Sequence, residues 1–292
     1  FSKGDNKVET FIPVARIADM LLSPGEEFAY DGGTYPYPDI RLVYWAGGNP
    51  FHHHQDLDRL RRALGRADTV VVNEPYWTSM ARHADIVLPT TIPIEREDFG
   101  AGRRDTHLIA MHRATSAPGE ALDDHEIFRL LAEQLDVGPA FTEGRTARQW
   151  LEHLYENWRE KVGDVVPGFE QFWAAGGIEL PFAEEHRTMF ERFRSDPEQY
   201  RLRTPSGRIE LASDVIAGFG YDDCPGHPVW IEPDHSNEGS YPLHLIANQP
   251  STRLHGQLDV GAASLASKVG GREPILINPA DAMARGIDDG DI

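Results

Sequence analysis

The sequence predicts an α/β fold built on a parallel sheet, and three observations carry that expectation. The run Thr69-Val70-Val71-Val72-Asn73 is short and β-branched, as a strand buried on both faces is. Two further strand patterns, Leu42–Ala46 and Asp85–Leu88 closed by Pro89, stand on either side of it. Helical periodicity fills the chain around them, so strands and helices alternate, the pattern of a Rossmann-like layer.

Taken in order, the Leu42–Ala46 strand ends in the turn Gly47-Gly48-Asn49-Pro50, and Asp56 to Leu64 then sets Leu57, Leu60 and Leu64 on one helical face. The 69–73 strand follows at once. Thr78 to His83 reads as a helix leading into the third strand, and Asp124 to Leu135 as a longer helix. This Rossmann-like alternation runs to about Leu135. Residues 136–235, rich in Trp, Phe, Glu, Pro and Gly, read as a long connecting region that wraps over other parts, with one helix near Arg145 to Trp158. From residue 236 the character changes again. Leu243–Ala247 and Pro274–Ile277 read as strands separated by a polar loop, with a short helix from Pro279 to Arg285, the start of a small β-rich domain.

Composition narrows the function classes. A chain of 292 residues with 40% hydrophobic residues buries a real core. Its net charge of −19, spread along the chain, repels polyanions at long range and argues against nucleic acid. An anionic ligand would need a local pocket of backbone amides and a few arginines. The single cysteine, Cys224, excludes an internal disulfide and a cysteine-rich metal site. No apolar run approaches the roughly 18 residues of a membrane span, so membrane insertion is not expected. The chain opens Phe1-Ser2-Lys3 and closes Asp289-Gly290-Asp291-Ile292, which reads as truncation at both ends and leaves the compartment open.

Four segments could carry chemistry. The turn Gly47-Gly48-Asn49-Pro50 closes a strand and opens onto a helix, so its backbone can approach a phosphate while the helix N-terminus supplies amides. Alone it is equally a plain tight turn. Glu74, roughly 25 residues beyond it, sits where such folds place the carboxylate that accepts from a ribose hydroxyl. The run His52-His53-His54-Gln55 is wrongly spaced for a metal site and better suits one or two imidazoles that, with Gln55, donate to a polar ligand. Arg82-His83-Ala84-Asp85 followed by Ile86-Val87-Leu88 is, on spacing alone, a helix end entering a strand, with Asp85 capping or pairing Arg82. The loop Asn248 to Gln257, with Arg253 and His255, is dense in planar donors and acceptors suited to a heteroaromatic, phosphate-bearing ligand, and Asn278-Pro279 with Asp281 makes a second polar corner. No nucleophile, base and orienter triad can be picked out, and no metal ligand.

Read together, the segments Phe11–Ile17, Trp45–Asp56, Ala81–Pro89, Glu95-Arg96, Thr204–Gly207, Tyr221–Cys224, Arg253–His255 and Ile277–Ala282 resemble the molybdopterin oxidoreductases of the dimethyl-sulfoxide reductase type, in family order along nearly the whole chain. The resemblance is to the subgroup of biotin-sulfoxide, trimethylamine-N-oxide and dimethyl-sulfoxide reductases. It implies a C-terminal-half fragment: residues to about 135 as the Rossmann-like domain, and residues from about 236 as the beginning of a truncated C-terminal barrel of double-psi type. It implies a molybdenum bis(molybdopterin guanine dinucleotide) cofactor. Gly47, Gly48, Asn49, Pro50, His53, Gln55, Glu74, Asp85 and Asp124 would contact pterin, phosphate or guanosine, and Arg253, His255, Gln257 and Asn278 would face the pterin from another side.

The implied partners are a small S- or N-oxide, an external electron donor and the remainder of the same polypeptide. Two departures stand out. Gly256 occupies a position where the family has Ser, and the serine that ligates molybdenum belongs to an upstream part this chain lacks. No catalytic residue is therefore assigned, and turnover by the chain alone is not expected. The choice among oxides, and between molybdenum and tungsten, stays open. Two rivals remain. A nicotinamide-dependent dehydrogenase shares the glycine turn and acid but needs a G-x-G-x-x-G/A fingerprint that is absent here, and the other rival is a non-catalytic nucleotide-binding module or accessory chain.

Overall fold

The computed structural model describes residues 8, 10–102, 105–163, 165–180, 188–232, 241–254 and 258–292. Their contacts divide the chain into two compact units, residues 1–48 with 56–233, and residues 49–55 with 234–292.

The first unit opens with helix α1 (Ile17–Leu22) and a hairpin of strands β1 (Glu27–Tyr30) and β2 (Gly33–Pro36). The chain then enters β3 (Leu42–Ala46), helix α2 (Leu57–Leu64), β4 (Thr69–Glu74) and β5 (Ile86–Pro89), and the three strands form a parallel sheet in the order β3-β4-β5. Val70, Val71 and Val72 are buried in the central strand, as its β-branched run requires. Leu60, Ala63 and Leu64 bury the inner face of α2 at helical spacing, and Asp56 caps its first turn by accepting from the Arg59 amide at 2.8 Å. An Arg59–Asp19 ion pair ties α2 to α1.

An antiparallel sheet follows, made of β6 (Asp98–Gly100), β7 (His107–Met111) and, much later in the chain, β8 (Gly177–Glu179). Between β7 and β8 lie helices α3 (Asp124–Gln134), α4 (Gly138–Thr142), α5 (Ala147–Val162) and α6 (Phe169–Ala175). Leu151, Tyr155 and Trp158 recur on one face of α5, and Tyr155, Phe169, Phe172 and Trp173 close an aromatic core over Leu108 and Ala110 of β7. The Tyr155 hydroxyl donates to the Pro167 carbonyl at 2.8 Å, and burial pushes its pKa up to about 12, so it stays a neutral donor. Arg148 lies over Trp173 at 4.1 Å and over Phe169 at 4.7 Å, covering the core's edge. Short helices α7 (Glu191–Ser195) and α8 (Asp214–Gly218) complete the unit.

The second unit carries helices α9 (Ala262–Ala266) and α10 (Pro279–Ala284). The alternation of strand and helix and the strands at 42–46, 69–73 and 86–88 are as the sequence predicts, and so are the helices at 57–64 and 124–134.

Several expectations are corrected. Leu243–Ala247 and Pro274–Ile277 form no strand: Leu245, Ile246, Ile275 and Leu276 are 71–98% exposed, and no described strand pairs with them to satisfy a ladder. Thr78 to His83 is no α-helix but a 3-10 turn, Ala81–His83, because the Thr78 hydroxyl takes the Ala81 amide at 3.3 Å and competes with helical pairing. Among the described residues, 136–235 hold five helices rather than one, each of the additional four seven residues or shorter and lacking a long periodic stretch. The β1–β2 hairpin and the antiparallel sheet were not expected, since their strands are three to five residues long.

Candidate functional site

Within the first unit, polar groups gather at the carboxyl ends of the parallel strands, where ligands of open α/β sheets bind. Asn73, 3% exposed, is the last-but-one residue of β4. Its carbonyl oxygen accepts from the Tyr44 hydroxyl at 2.8 Å, and its amide donates to Asp124 at 2.9 Å, so Asp124 is fixed on the first turn of α3 by a buried side chain of the sheet. Burial holds the Tyr44 hydroxyl above its usual pKa and keeps it a donor. Glu74 ends the same strand. Burial raises its carboxyl above the ordinary range, opposed by hydrogen bonds from the Thr78 hydroxyl at 3.1 Å and from the Tyr76 backbone. The start of α3 is anchored further by Thr91, whose hydroxyl donates to Asp123 at 2.8 Å. With Asp124 and Glu126 in its first turn, α3 presents carboxylates rather than free amides, which suits a hydroxyl or N–H donor and not a phosphate. His125, between them, has a buried Nε2 without a partner among the described residues and lines cavities of about 450 and 520 Å3.

At the end of β3, Gly47 and Gly48 have φ of +82° and +84°, conformations that only glycine adopts without strain. A Cβ at Gly47 would meet nothing within 4 Å, and at Gly48 only the Trp45 indole nitrogen at 3.6 Å, so the backbone here lies open to a ligand. The α2 N-terminus, by contrast, is occupied by its own Asp56 carboxylate. A phosphate at the turn would thus be met by loop amides, not by α2.

Asp85 stands at the other end of the sheet. Its carboxylate accepts from the Val70 amide at 2.8 Å while its own amide donates to the Val70 carbonyl at 2.9 Å. It braces the amino ends of β4 and β5, and the structure does not bring it together with Asn73, Glu74 and Asp124.

In the second unit, Asn49 is 8% exposed and heads the 3-10 turn Pro50–His52. Its Oδ1 accepts from the Phe51 amide at 3.2 Å, and its Nδ2 is buried with no partner among the described residues. His54 Nε2 is buried in the same way, and burial, with His53 beside it, lowers its pKa, so this imidazole is neutral. His53 and Gln55, singled out by sequence, are exposed, whereas His54 holds the unanswered nitrogen. Arg253 is nearly enclosed, its side chain 10% exposed, between Asp259 at 3.4 Å and Glu273 at 2.9 Å. Lys268 shares Asp259 at 2.8 Å and holds that carboxyl below its usual range. The Arg253 charge is therefore already balanced by carboxylates. Asn278 is exposed and caps α10, its Oδ1 accepting from the Ala280 amide at 2.9 Å. His255 and Gln257 lie outside the described residues.

Asn73 and His125 are candidates that sequence reasoning did not name, and within the run His52-His53-His54 it is His54 whose nitrogen is buried. A polar residue closing an apolar strand was the available signal for Asn73, and His125 had none beyond its neighbours. Among the described residues no group of three or more His, Cys, Asp or Glu could hold a metal ion, and no helix is long and apolar enough to cross a membrane.

Residues 19–134 match the molybdopterin oxidoreductase family. Over 295 residues the chain is 47% identical to a biotin sulfoxide reductase of Cereibacter sphaeroides, covering 99% of the chain and 40% of that protein. Over 292 residues it is 46% identical to a dimethyl sulfoxide/trimethylamine N-oxide reductase of the same organism, covering 97% and 36%. The chain thus spans two-fifths or less of the length of these relatives. Acetylene hydratase from Pelobacter acetylenicus shares the fold, with a TM-score of 0.59 at 22% identity over 88% of this chain and 33% of that one.

Proposed function

Because the chain belongs to the molybdopterin oxidoreductase family, which implies a molybdenum–molybdopterin cofactor, we propose that it is part of an S- or N-oxide reductase and forms a wall of the site for two molybdopterin guanine dinucleotides. The observation that carries this reading is the buried amide of Asn49, which has no partner among the described residues and follows in sequence on the open Gly47–Gly48 backbone. An orphaned buried donor costs about 1–3 kcal/mol, and a pterin or guanine acceptor would remove that cost. His54 Nε2 fits the same role.

By this proposal the Gly47–Gly48 backbone meets a phosphate, and Asn49 and His54 meet ring heteroatoms, with Pro50, His53 and Gln55 flanking them. Glu74 and Asp124 accept from ribose hydroxyls or a guanine N–H, and Asn73 orients Asp124 for that purpose. Arg253 and Asn278, with His255 and Gln257 from outside the described residues, are assigned to the same cofactor by resemblance. A phosphate contact from Arg253 requires it to release Glu273. Asp85 is assigned to bracing the sheet rather than to contact. Residues 1–135 supply the Rossmann-like part, 136–235 the connection, and 236–292 the beginning of a barrel of double-psi type. When bound, the cofactor supplies the oxygen-atom and electron transfer, and the protein supplies binding, orientation and electrostatics. The substrate is a small oxide such as biotin sulfoxide, trimethylamine N-oxide or dimethyl sulfoxide, the electrons come from an external donor, and the remaining site residues come from the rest of the polypeptide.

The test is metal analysis with release of guanosine monophosphate from the full-length protein, made in a host that synthesises the molybdenum cofactor. Molybdenum with about two guanosine monophosphates per metal supports the reading. Neither, in a folded protein, overturns it. Oxide-dependent oxidation of a reduced dye by this chain alone would refute its assignment as a wall without its own catalytic residue.

A further inference from the structure

The first unit holds a larger, open pocket away from the strand ends, about 770 Å3, lined by the β1–β2 hairpin, α1 and the stretch around residues 216–224. Its walls are tied to each other. The Gly32 amide at the hairpin turn donates to the Tyr221 hydroxyl at 2.9 Å, across 189 residues of sequence. Gly32 has φ +77°, and a Cβ there would come within 2.6 Å of the Phe219 ring, so the turn is seated directly on an aromatic pair, Phe219 and Tyr221, whose centroids are 5.6 Å apart. Phe28, stacked on Tyr37 at 4.6 Å, supplies a second pair of rings to the lining.

The charges of this cavity are unbalanced. Five carboxylates line it against two guanidiniums, Arg16 and Arg59, and both of those pair with one carboxylate, Asp19. Glu26, Glu27, Asp31 and Asp223 have no ion pair within 4 Å among the described residues, and although Asp223 acts on Arg16 at longer range, the lining keeps an excess of negative charge. A metal ion is not what this suits, since no group of three potential ligands converges among the described residues. Excess negative charge and aromatic rings in one lining suit a cation with an apolar body, whose charge is too diffuse for tight ligation but is attracted by ring quadrupoles. An anion is repelled by the lining and by the net charge of −19.

We propose that this cavity binds a small alkylammonium or quaternary ammonium cation, with Phe219 and Tyr221 offering rings and Asp223 and Glu27 the countercharge. The inference is independent of the cofactor reading, because none of these residues belongs to the strand-end site.

The experiment titrates tetramethylammonium chloride into the full-length protein at low ionic strength, followed by saturation-transfer NMR, with neopentane-like neutral tert-butanol and sodium acetate as comparison probes. The expected result is saturable binding of tetramethylammonium only. Phe219→Leu, which keeps apolar volume but removes the ring, weakens it by about two- to fivefold. Asp223→Asn combined with Glu27→Gln, at exposed positions that leave the far-UV circular dichroism unchanged, weakens it further, and added salt does the same. Equal binding of tert-butanol, or tetramethylammonium binding indifferent to the carboxylate variants, overturns the proposal, and so does the absence of saturable binding.

Discussion

Asn73→Ala is the sharpest probe of how the parallel sheet presents its carboxyl end. The substitution removes one neutral hydrogen bond, from Tyr44 at 2.8 Å, and one charge-assisted bond, to Asp124 at 2.9 Å, from a side chain that is 3% exposed. Net values of about 0.5–1.5 kcal/mol for the first and 1.5–3 kcal/mol for the second bracket the loss. Asp124 is exposed and regains water once released, which draws the expected cost to the lower end, about 2 kcal/mol. Tyr44→Phe deletes only the first bond and is expected to cost about 1 kcal/mol. Because Asn73 is shared, the double variant should fall short of the sum by about 0.5 kcal/mol or more. Urea unfolding followed by far-UV circular dichroism measures all three. A loss below about 0.5 kcal/mol for Asn73→Ala, or strict additivity with Tyr44→Phe, would show that the Tyr44–Asn73–Asp124 chain does not act as a unit.

Three further outcomes follow from the same geometry. Glu74 has a raised pKa in the folded state, so the folded protein gains stability as pH falls through that value, and the ionised carboxylate is a burden at neutral pH. Glu74→Gln should therefore raise the melting temperature at pH 7–8 by an amount that shrinks toward pH 4–5, and a pH-independent difference would contradict the burial argument. Asp259 is the opposite case: its depressed pKa contributes stability above the ordinary carboxylate range that is lost on acidification, so Asp259→Asn should lower hydrogen-exchange protection of the 252–268 segment at neutral pH but not at pH 2–3. Gly48→Ala forces a φ of +84° on an L-residue, at a cost of about 1–2 kcal/mol. In the full-length protein it should lower molybdenum content without lowering the yield of folded chain, as read by metal analysis beside circular dichroism.

Legibility from sequence followed the length and regularity of each element. The β4 strand and α2 were readable because Val70–Val72 and Leu60–Leu64 repeat a pattern that only burial explains. The antiparallel strands were not, since Asp98–Gly100 and Gly177–Glu179 are three residues each and their partnership spans helices α3 to α6. Leu243–Ala247 and Pro274–Ile277 have strand composition, but composition makes a strand only where a neighbour completes the ladder. Of the candidates, Glu74 and Asp124 stand where the sequence predicts, at the end of a strand and at a helix start. Asp85 was assigned the same role by resemblance, yet its carboxylate is spent on the Val70 amide at the sheet's other end. His54 was hidden because three consecutive histidines look alike in sequence, and only burial separates them.

The antiparallel sheet also bears on how such chains can be recombined. Its middle strand, β7, lies before residue 135 and its edge strand, β8, well after it, with the aromatic core of α5 and α6 seated on the seam. A chimera of two relatives joined near residue 135 would set one parent's Leu108 and Ala110 against the other parent's Phe172 and Trp173. Crossovers placed after β8 would keep that layer in one parent's hands, so functional shuffled progeny should be enriched in breakpoints beyond residue 179.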